Sequence, residues 1–244
     1  MQVVFSPYKI PEFNLAAEEF LFSEKTDEYL LLYVNKPCVI LGSNQSVTNE
    51  VNEDFCHLNG ISIFRRLSGG GAVYHDEGNL NFCFVFNKKK GYSPLSSDFL
   101  QPVISVLNSM EIPVEVGKRK DLWLPDGHKV SGTASHVSKC RELHHGTLLY
   151  DVDMEKLQKS LIPTSATNKK AIRSVPSPVE NIRSFLERST VRTQDVNDFF
   201  ITFTKLMLAY FQIRELSLLL NEDIKKIYRL TISKYGRKEW NYRI

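Results

Sequence analysis

No apolar run in this chain approaches the about 20 residues that a membrane-spanning helix needs. The N-terminal MQVVFSPYKIPEF also has none of the long apolar region of a secretory signal. Charge of one sign is scarce: 31 basic residues against 28 acidic leave a net charge of +3, too little for a nucleic-acid-binding surface. The single dense basic run, Lys88 to Lys90, reads as a solvated loop. Cysteine is sparse as well. Cys38, Cys56, Cys83 and Cys140 stand singly, without the CxxC spacing of a structural zinc site. A disulfide framework is unnecessary in a chain of 244 residues. These absences leave a cytoplasmic enzyme or binding protein, with no nucleic acid or membrane partner, as the expectation.

What is present is the balance of a globular domain, 42% hydrophobic and 24% charged. In FNLAAEEFLFSE, Phe13, Ala16, Ala17, Phe20 and Leu21 fall at helical spacing after a turn at Pro11. LLLYV from Leu30 and CVILG from Cys38 read as strands, and a helix is expected from Thr48 to Leu58. ISIFRR, AVYH and LNFCFVFN follow as strands. Ser93 and Pro94 can open a helix, which Pro102 would have to end or bend. KVSGTASHV and LHHGTLLYDV suggest a hairpin tipped by SKCRE, which places Cys140 in an exposed turn. Asp153 caps a short helix, Pro163 to Pro178 forms a long loop, and Val196 to Tyr210 carries an apolar helical stripe. Hairpin-like pairs dominate, so the expected architecture is one α/β (α+β) domain over residues 1–244, with a mixed, largely antiparallel sheet flanked by helices.

Three consecutive glycines in RRLSGGGAVYHDEGNLNF, between Arg65 and Phe82, suggest either a loose hairpin or a backbone that something approaches closely. The common phosphate loops are absent. GxxxxGK[ST] fails because Gly117 and Lys118 are followed by Arg119, and GxGxxG fails at Tyr74. His144 and His145 are adjacent in a strand and point to opposite faces, which excludes a shared metal bite.

The wider pattern is more specific. FNLAAEE, GSNQSVTNEVN, RRLSGGGAVYHD, KDLWL, KVSGTA, HHGTLL, IRSVPSPVENI and KEWNY occur in an order that resembles the lipoate–protein ligase A family, within the biotin/lipoate protein ligase group. The resemblance implies a catalytic domain of that type. Lipoate and ATP, with Mg2+, would form lipoyl-adenylate, and the lipoyl group would pass to a lysine on a dehydrogenase E2 domain or a glycine cleavage H protein. It also implies residue roles. Lys129 would hold the acyl carbonyl and phosphate. Arg66, Ser68, Gly69, Gly70, Gly71, Ala72, Val73, His75 and Asn79 would line the acyl-adenylate site, together with Gly132, Thr133, Ala134, His145, Gly146 and Thr147. Ile172, Ser174 and Val175 would belong to a loop closing over the nucleotide, and Asp121 would bind Mg2+.

Arg65, on the other side of its strand, is expected to form a salt bridge or face water. Asp76 is expected to shape the DEGN turn, with His75 satisfying a backbone group. The chain departs from the family at Ser43, Lys120, Pro176 and Pro178. Related transferases use a cysteine thiolate instead of ATP. No cysteine lies between Cys83 and Cys140, and Leu161-Ile162-Pro163-Thr164 stands where another group carries its nucleophile. A lipoyltransferase using preformed lipoyl-adenylate or an acyl donor, and a non-catalytic lipoate- or nucleotide-binding protein, remain as alternatives. The sequence stops after KEWNY without the accessory domain that many such ligases carry. A separate accessory polypeptide, a truncation and a transfer-only enzyme are the three explanations.

Overall fold

The computed structural model describes residues 1–88, 98–163, 171–189 and 191–244. The proposed helix start at Ser93 and Pro94, Lys89 and Lys90 of the basic run, and Thr164 lie outside the described residues. The main sheet has the strand order β1 (Gln2–Phe5), β2 (Tyr29–Val34), β6 (Asn79–Asn87), β11 (Arg141–Leu149) and β10 (Thr133–Val137). Only the β1–β2 pair is parallel. A second sheet places β3 (Cys38–Leu41) between β4 (Ser62–Arg65) and β5 (Val73–His75). A third joins the short strands β7 (Glu115–Val116), β8 (Leu122–Trp123) and β9 (Lys129–Ser131).

All six residues of β2 and all nine of β11 are buried, so the main sheet is covered on both faces. Strand alternation divides its side chains between two cores. Leu30, Leu32, Phe82 and Phe84 pack toward α4 (Gln101–Ser109) and α7 (Val196–Tyr210). Leu31, Tyr33, Cys83 and Val85 pack toward α1 (Pro11–Glu24) and α8 (Asn221–Leu230). Each fully buried Phe or Leu contributes about 1.5–3 kcal/mol. This two-sided burial holds β6 and β11, the strands that carry much of the site.

The expected mixed, antiparallel-rich architecture is present, with local differences. The helix expected over Thr48 to Leu58 is two, α2 (Val47–Glu50) and α3 (Glu53–Leu58). Asn52 interrupts them because its side chain accepts from the Phe55 amide and caps the second. Pro102 neither ends nor bends its helix. It occupies the first turn of α4, where its missing N–H costs nothing. KVSGTASHV divides at Gly132 into β9 and β10, which belong to different sheets. The cap on α5 (Met154–Ser160) is Asp153, which accepts from the Lys156 amide at 3.0 Å.

Candidate active site

The glycine turn is built from the end of β4. Arg65 and Arg66 diverge, and neither forms a salt bridge among the described residues. Arg65 is fully buried, contrary to the expected surface or ion-paired role. Its guanidinium donates to the carbonyls of Gly42 (2.9 Å), Gln45 (2.6 Å) and Asn241 (2.8 Å). It thereby ties α9 (Lys238–Asn241) to the loop after β3. Arg66 faces the cavity and shapes the triplet, donating to Gly69 O at 2.5 Å and Gly71 O at 2.8 Å. Burial pulls the Arg66 pKa down to about 10, still cationic near neutrality.

Two of the three glycines have a local reason to lack a side chain. Gly70 has φ of +87°, a left-handed conformation that disfavours a Cβ. A Cβ on Gly71 would lie 2.9 Å from Ser174 Oγ. That hydroxyl accepts from Ala72 N at 2.9 Å and Gln45 Nε2 at 3.0 Å, and the Glu50 carboxylate takes the Ser174 amide. The segment Ile172 to Val175 is thus pinned onto the glycine turn. At its far end the same loop bonds to β9, through Lys129 N to Pro178 O at 2.9 Å.

Lys129 and Asp121 form the charged centre. Nζ lies 3.2 Å from Asp121 Oδ2, and Arg119 Nε lies 3.9 Å from the same oxygen. Burial opposes ionisation of Asp121, but the Trp123 indole N–H and Lys129 outweigh it and hold the carboxyl below its usual range. Lys120 has φ of +61°, a left-handed backbone that lysine adopts less readily than asparagine or glycine.

These parts enclose a cavity of about 380 Å³. It is lined by Lys129, Asp121, Arg66, Gly70, Gly71, Ala72, Val73 and His75, by Gly132, Thr133, Ala134, His145, Gly146 and Thr147, and by Ile172, Ser174 and Val175. Three expected residues do not line it. Ser68 is fully buried behind the wall, bonded to His145 Nε2 at 2.7 Å and to Arg66 Nε at 3.0 Å. Gly69 offers its carbonyl to Arg66, and Asn79 is buried against Asn81. Leu15, Tyr33, Ile40, Asn81, Arg119 and Arg173 line the cavity without having been singled out. Leu15, Asn81 and Arg173 fall within the quoted motif stretches, Tyr33 and Ile40 only within expected strands, and Arg119 just before KDLWL. Asp76 shapes its turn as expected, accepting from Gly78 N at 2.8 Å, whereas His75 bonds to the Asn35 side chain and not to backbone.

One carboxylate lining the cavity, Asp121, has a buried oxygen whose only partners among the described residues are the Lys129 and Arg119 cations. That suits a magnesium ion held by one protein carboxylate, with phosphate and water oxygens completing its shell. The other candidate groups among the described residues, Glu18–Cys83–His145 and Asp126–His128–Glu180, do not include Asp121. In the first, His145 Nδ1 already bonds to Glu18 at 2.8 Å.

Three sheets that bring a glycine turn, an arginine and a lysine to one partly apolar cavity define an α/β domain built around a small-molecule site. Residues 10–205 match the family model described as the lipoyl protein ligase A/B catalytic domain. The chain belongs to that family. It is 34% identical over 239 residues to lipoate-protein ligase LplJ of Bacillus subtilis, covering 95% of this chain and 70% of that one. It superposes on the bi-partite lipoate protein ligase of Thermoplasma acidophilum, solved in a study with its E2 lipoyl domain, with a TM-score of 0.81 at 22% identity. That match covers 99% of this chain and 95% of the other. P. falciparum LipL1, in complex with lipoate, gives a TM-score of 0.77 at 26% identity, over 99% of this chain and 73% of that one.

Proposed function

We propose that this chain is a lipoate–protein ligase, which activates lipoate with ATP and transfers the lipoyl group to a lysine of an acceptor domain. The observation that carries this reading is that Lys129, Arg66 and the glycine turn line the same cavity. In the first step a lipoate carboxylate oxygen attacks the α-phosphorus, and the bond to the bridging oxygen breaks to release pyrophosphate. Two unit anions at about 4 Å repel by about 4 kcal/mol near a protein surface. The Lys129 ammonium and Arg66 guanidinium offset that repulsion, and the amides of the glycine turn supply fixed dipoles. When bound, magnesium would neutralise phosphate charge, held by Asp121. In the second step the acceptor amine attacks the acyl carbonyl, AMP leaves and the amine loses a proton. Lys129 supports the oxygen on which charge collects, and the pinned Ile172–Val175 segment keeps water from the anhydride.

A thiolate route is disfavoured by geometry. Cys38, Cys56 and Cys83 are buried, and burial pushes their thiols up. Cys140 is exposed between β10 and β11, and no cysteine lines the cavity. The acceptors proposed are E2 lipoyl domains or the glycine cleavage H protein, and a separate accessory polypeptide is a further candidate partner. No helix among the described residues is long and apolar enough to cross a membrane. Four free thiols suit the reducing cytoplasm where we place the reaction. The test is a mass assay of an apo lipoyl domain with this protein, lipoate, ATP and Mg2+. A gain of one lipoyl group is expected. Modification only from preformed lipoyl-adenylate would refute the ligase reading in favour of a transferase.

A further inference from the structure

A buried chain of polar side chains runs from the N-terminal segment to the cavity wall. Ser6 Oγ donates to Asn14 Oδ1 at 2.6 Å, Asn14 Nδ2 to Asn35 Oδ1 at 2.8 Å, and Asn35 Nδ2 faces His75 Nδ1 at 3.1 Å. All four residues are at most 4% exposed. The direction of the chain is fixed by backbone. Asn14 Nδ2 also donates to the carbonyls of Tyr8 (2.9 Å) and Val34 (3.3 Å), which can only accept. The amide of Asn14 therefore has one orientation. Asn35 must turn its oxygen toward Asn14 and its NH2 toward His75.

That leaves His75 Nδ1 as an acceptor. The ring is neutral, because burial and the nearby Arg66 and His145 bring its pKa to about 3. A neutral imidazole carries one N–H, and here it is on Nε2. Nε2 is buried with no partner among the described residues, in a side chain that lines the cavity. A buried donor without an acceptor is rare in folded proteins. The same wall therefore calls for an acceptor on the ligand.

Its position says which acceptor. Val73 and His75 share one face of β5. A Cβ on Gly132 would lie 4.0 Å from Val73 Cγ1 and 3.7 Å from Lys129 Nζ, so Val73 marks the carboxyl end. His75 is two residues farther along, about 7 Å, beside the far part of an extended acyl chain. Beyond its carboxyl group, lipoate offers methylenes and two ring sulfurs. Only sulfur accepts a hydrogen bond there, weakly.

We propose that His75 is a specificity residue of this pocket, donating its Nε2–H to the dithiolane sulfurs of lipoate, with Asn14 and Asn35 as positioning residues that hold the required tautomer. The proposal rests on the ligase reading, since it takes lipoate as the ligand.

The test compares lipoate with octanoate, which has the same carboxyl group and chain length but no sulfur, by titration calorimetry. Wild type is expected to bind lipoate about five- to tenfold more tightly. In His75→Leu that ratio should fall to within about twofold through weaker lipoate binding, while His75→Gln, which keeps a donor, should retain most of it. Asn35→Asp leaves the cavity wall intact but offers only acceptors, so the proton should move to Nδ1 and the ratio should fall likewise. The tautomer is read by 15N NMR of wild type, which does not depend on any variant folding. An Nε2–H resonance that shifts with lipoate and not with octanoate supports the proposal. An Nδ1–H tautomer, or an unchanged ratio in His75→Leu, overturns it while leaving the ligase reading intact. Failure of wild type to bind either acid would instead refute the ligase reading.

Discussion

Gly69, Gly70 and Gly71 give an internal comparison, because a methyl group added to each meets a different neighbour. At Gly69 a Cβ finds nothing within 4 Å and φ is outside the left-handed region. Gly69→Ala should therefore be neutral, or stabilising by about 0.4–1 kcal/mol through a less free unfolded chain. At Gly70, φ of +87° costs a Cβ-bearing residue about 1–2 kcal/mol. The methyl would also lie 3.0 Å from Arg66 Nη2, the atom that holds the Gly69 and Gly71 carbonyls. Disturbing one such charged hydrogen bond adds about 1.5–3 kcal/mol, for a total of about 2.5–5 kcal/mol. Gly71→Ala meets the Ser174 hydroxyl at 2.9 Å and should act on the loop more than on the backbone. Chemical and thermal denaturation of the three variants in parallel makes the test. Gly70→Ala should melt about 5–20 °C below wild type. Equal stability of Gly69→Ala and Gly70→Ala would refute the reasoning.

Three further outcomes follow from the same geometry. Arg65→Lys should cost about 3 kcal/mol, because an ammonium cannot span the carbonyls of Gly42, Gln45 and Asn241; hydrogen exchange of residues 238–241 should accelerate, and unchanged protection would contradict this. Asp121 is a depressed acid, so its contribution to stability is full above its unfolded pKa and is lost as pH falls through the folded value. Asp121→Asn should therefore lose less stability than wild type below about pH 4, in denaturant titrations across the acid limb. Ser174→Ala removes the acceptor for Ala72 N and Gln45 Nε2. Trypsin should then cut after Arg173 faster, with global stability changed by less than about 1 kcal/mol; an unchanged cleavage rate would show that the hydroxyl does not hold the loop.

Periodicity was enough for the large elements. The stripe through Phe199, Phe203 and Met207 is legible because one core buries that face of α7, and the apolar runs YLLLYV of β2 and FCFVF of β6 because two cores bury them from both sides. Short-range competition was less legible. Asn52 splits a helix through one side-chain bond, and Gly132 sends the two halves of one apparent strand to different sheets. The cavity was legible as motif segments, whose Lys129, Arg66 and residues after the triplet all line it. Arg65 was not, because nothing local announces that five main-chain carbonyls, from the loop after β3 and from α9, converge on it. The tautomer of His75 depends in the same way on Tyr8 and Val34, contacts that only the folded chain creates.

The central claim is that Lys129 stabilises the activation of lipoate, and the most direct measurement is lipoate-dependent pyrophosphate release from ATP by wild type and Lys129→Ala. Removing one such charge-stabilising donor costs about 100- to 1000-fold in rate, and a loss of that size is predicted with the fold unchanged by circular dichroism. A Lys129→Ala rate within about threefold of wild type would contradict the account.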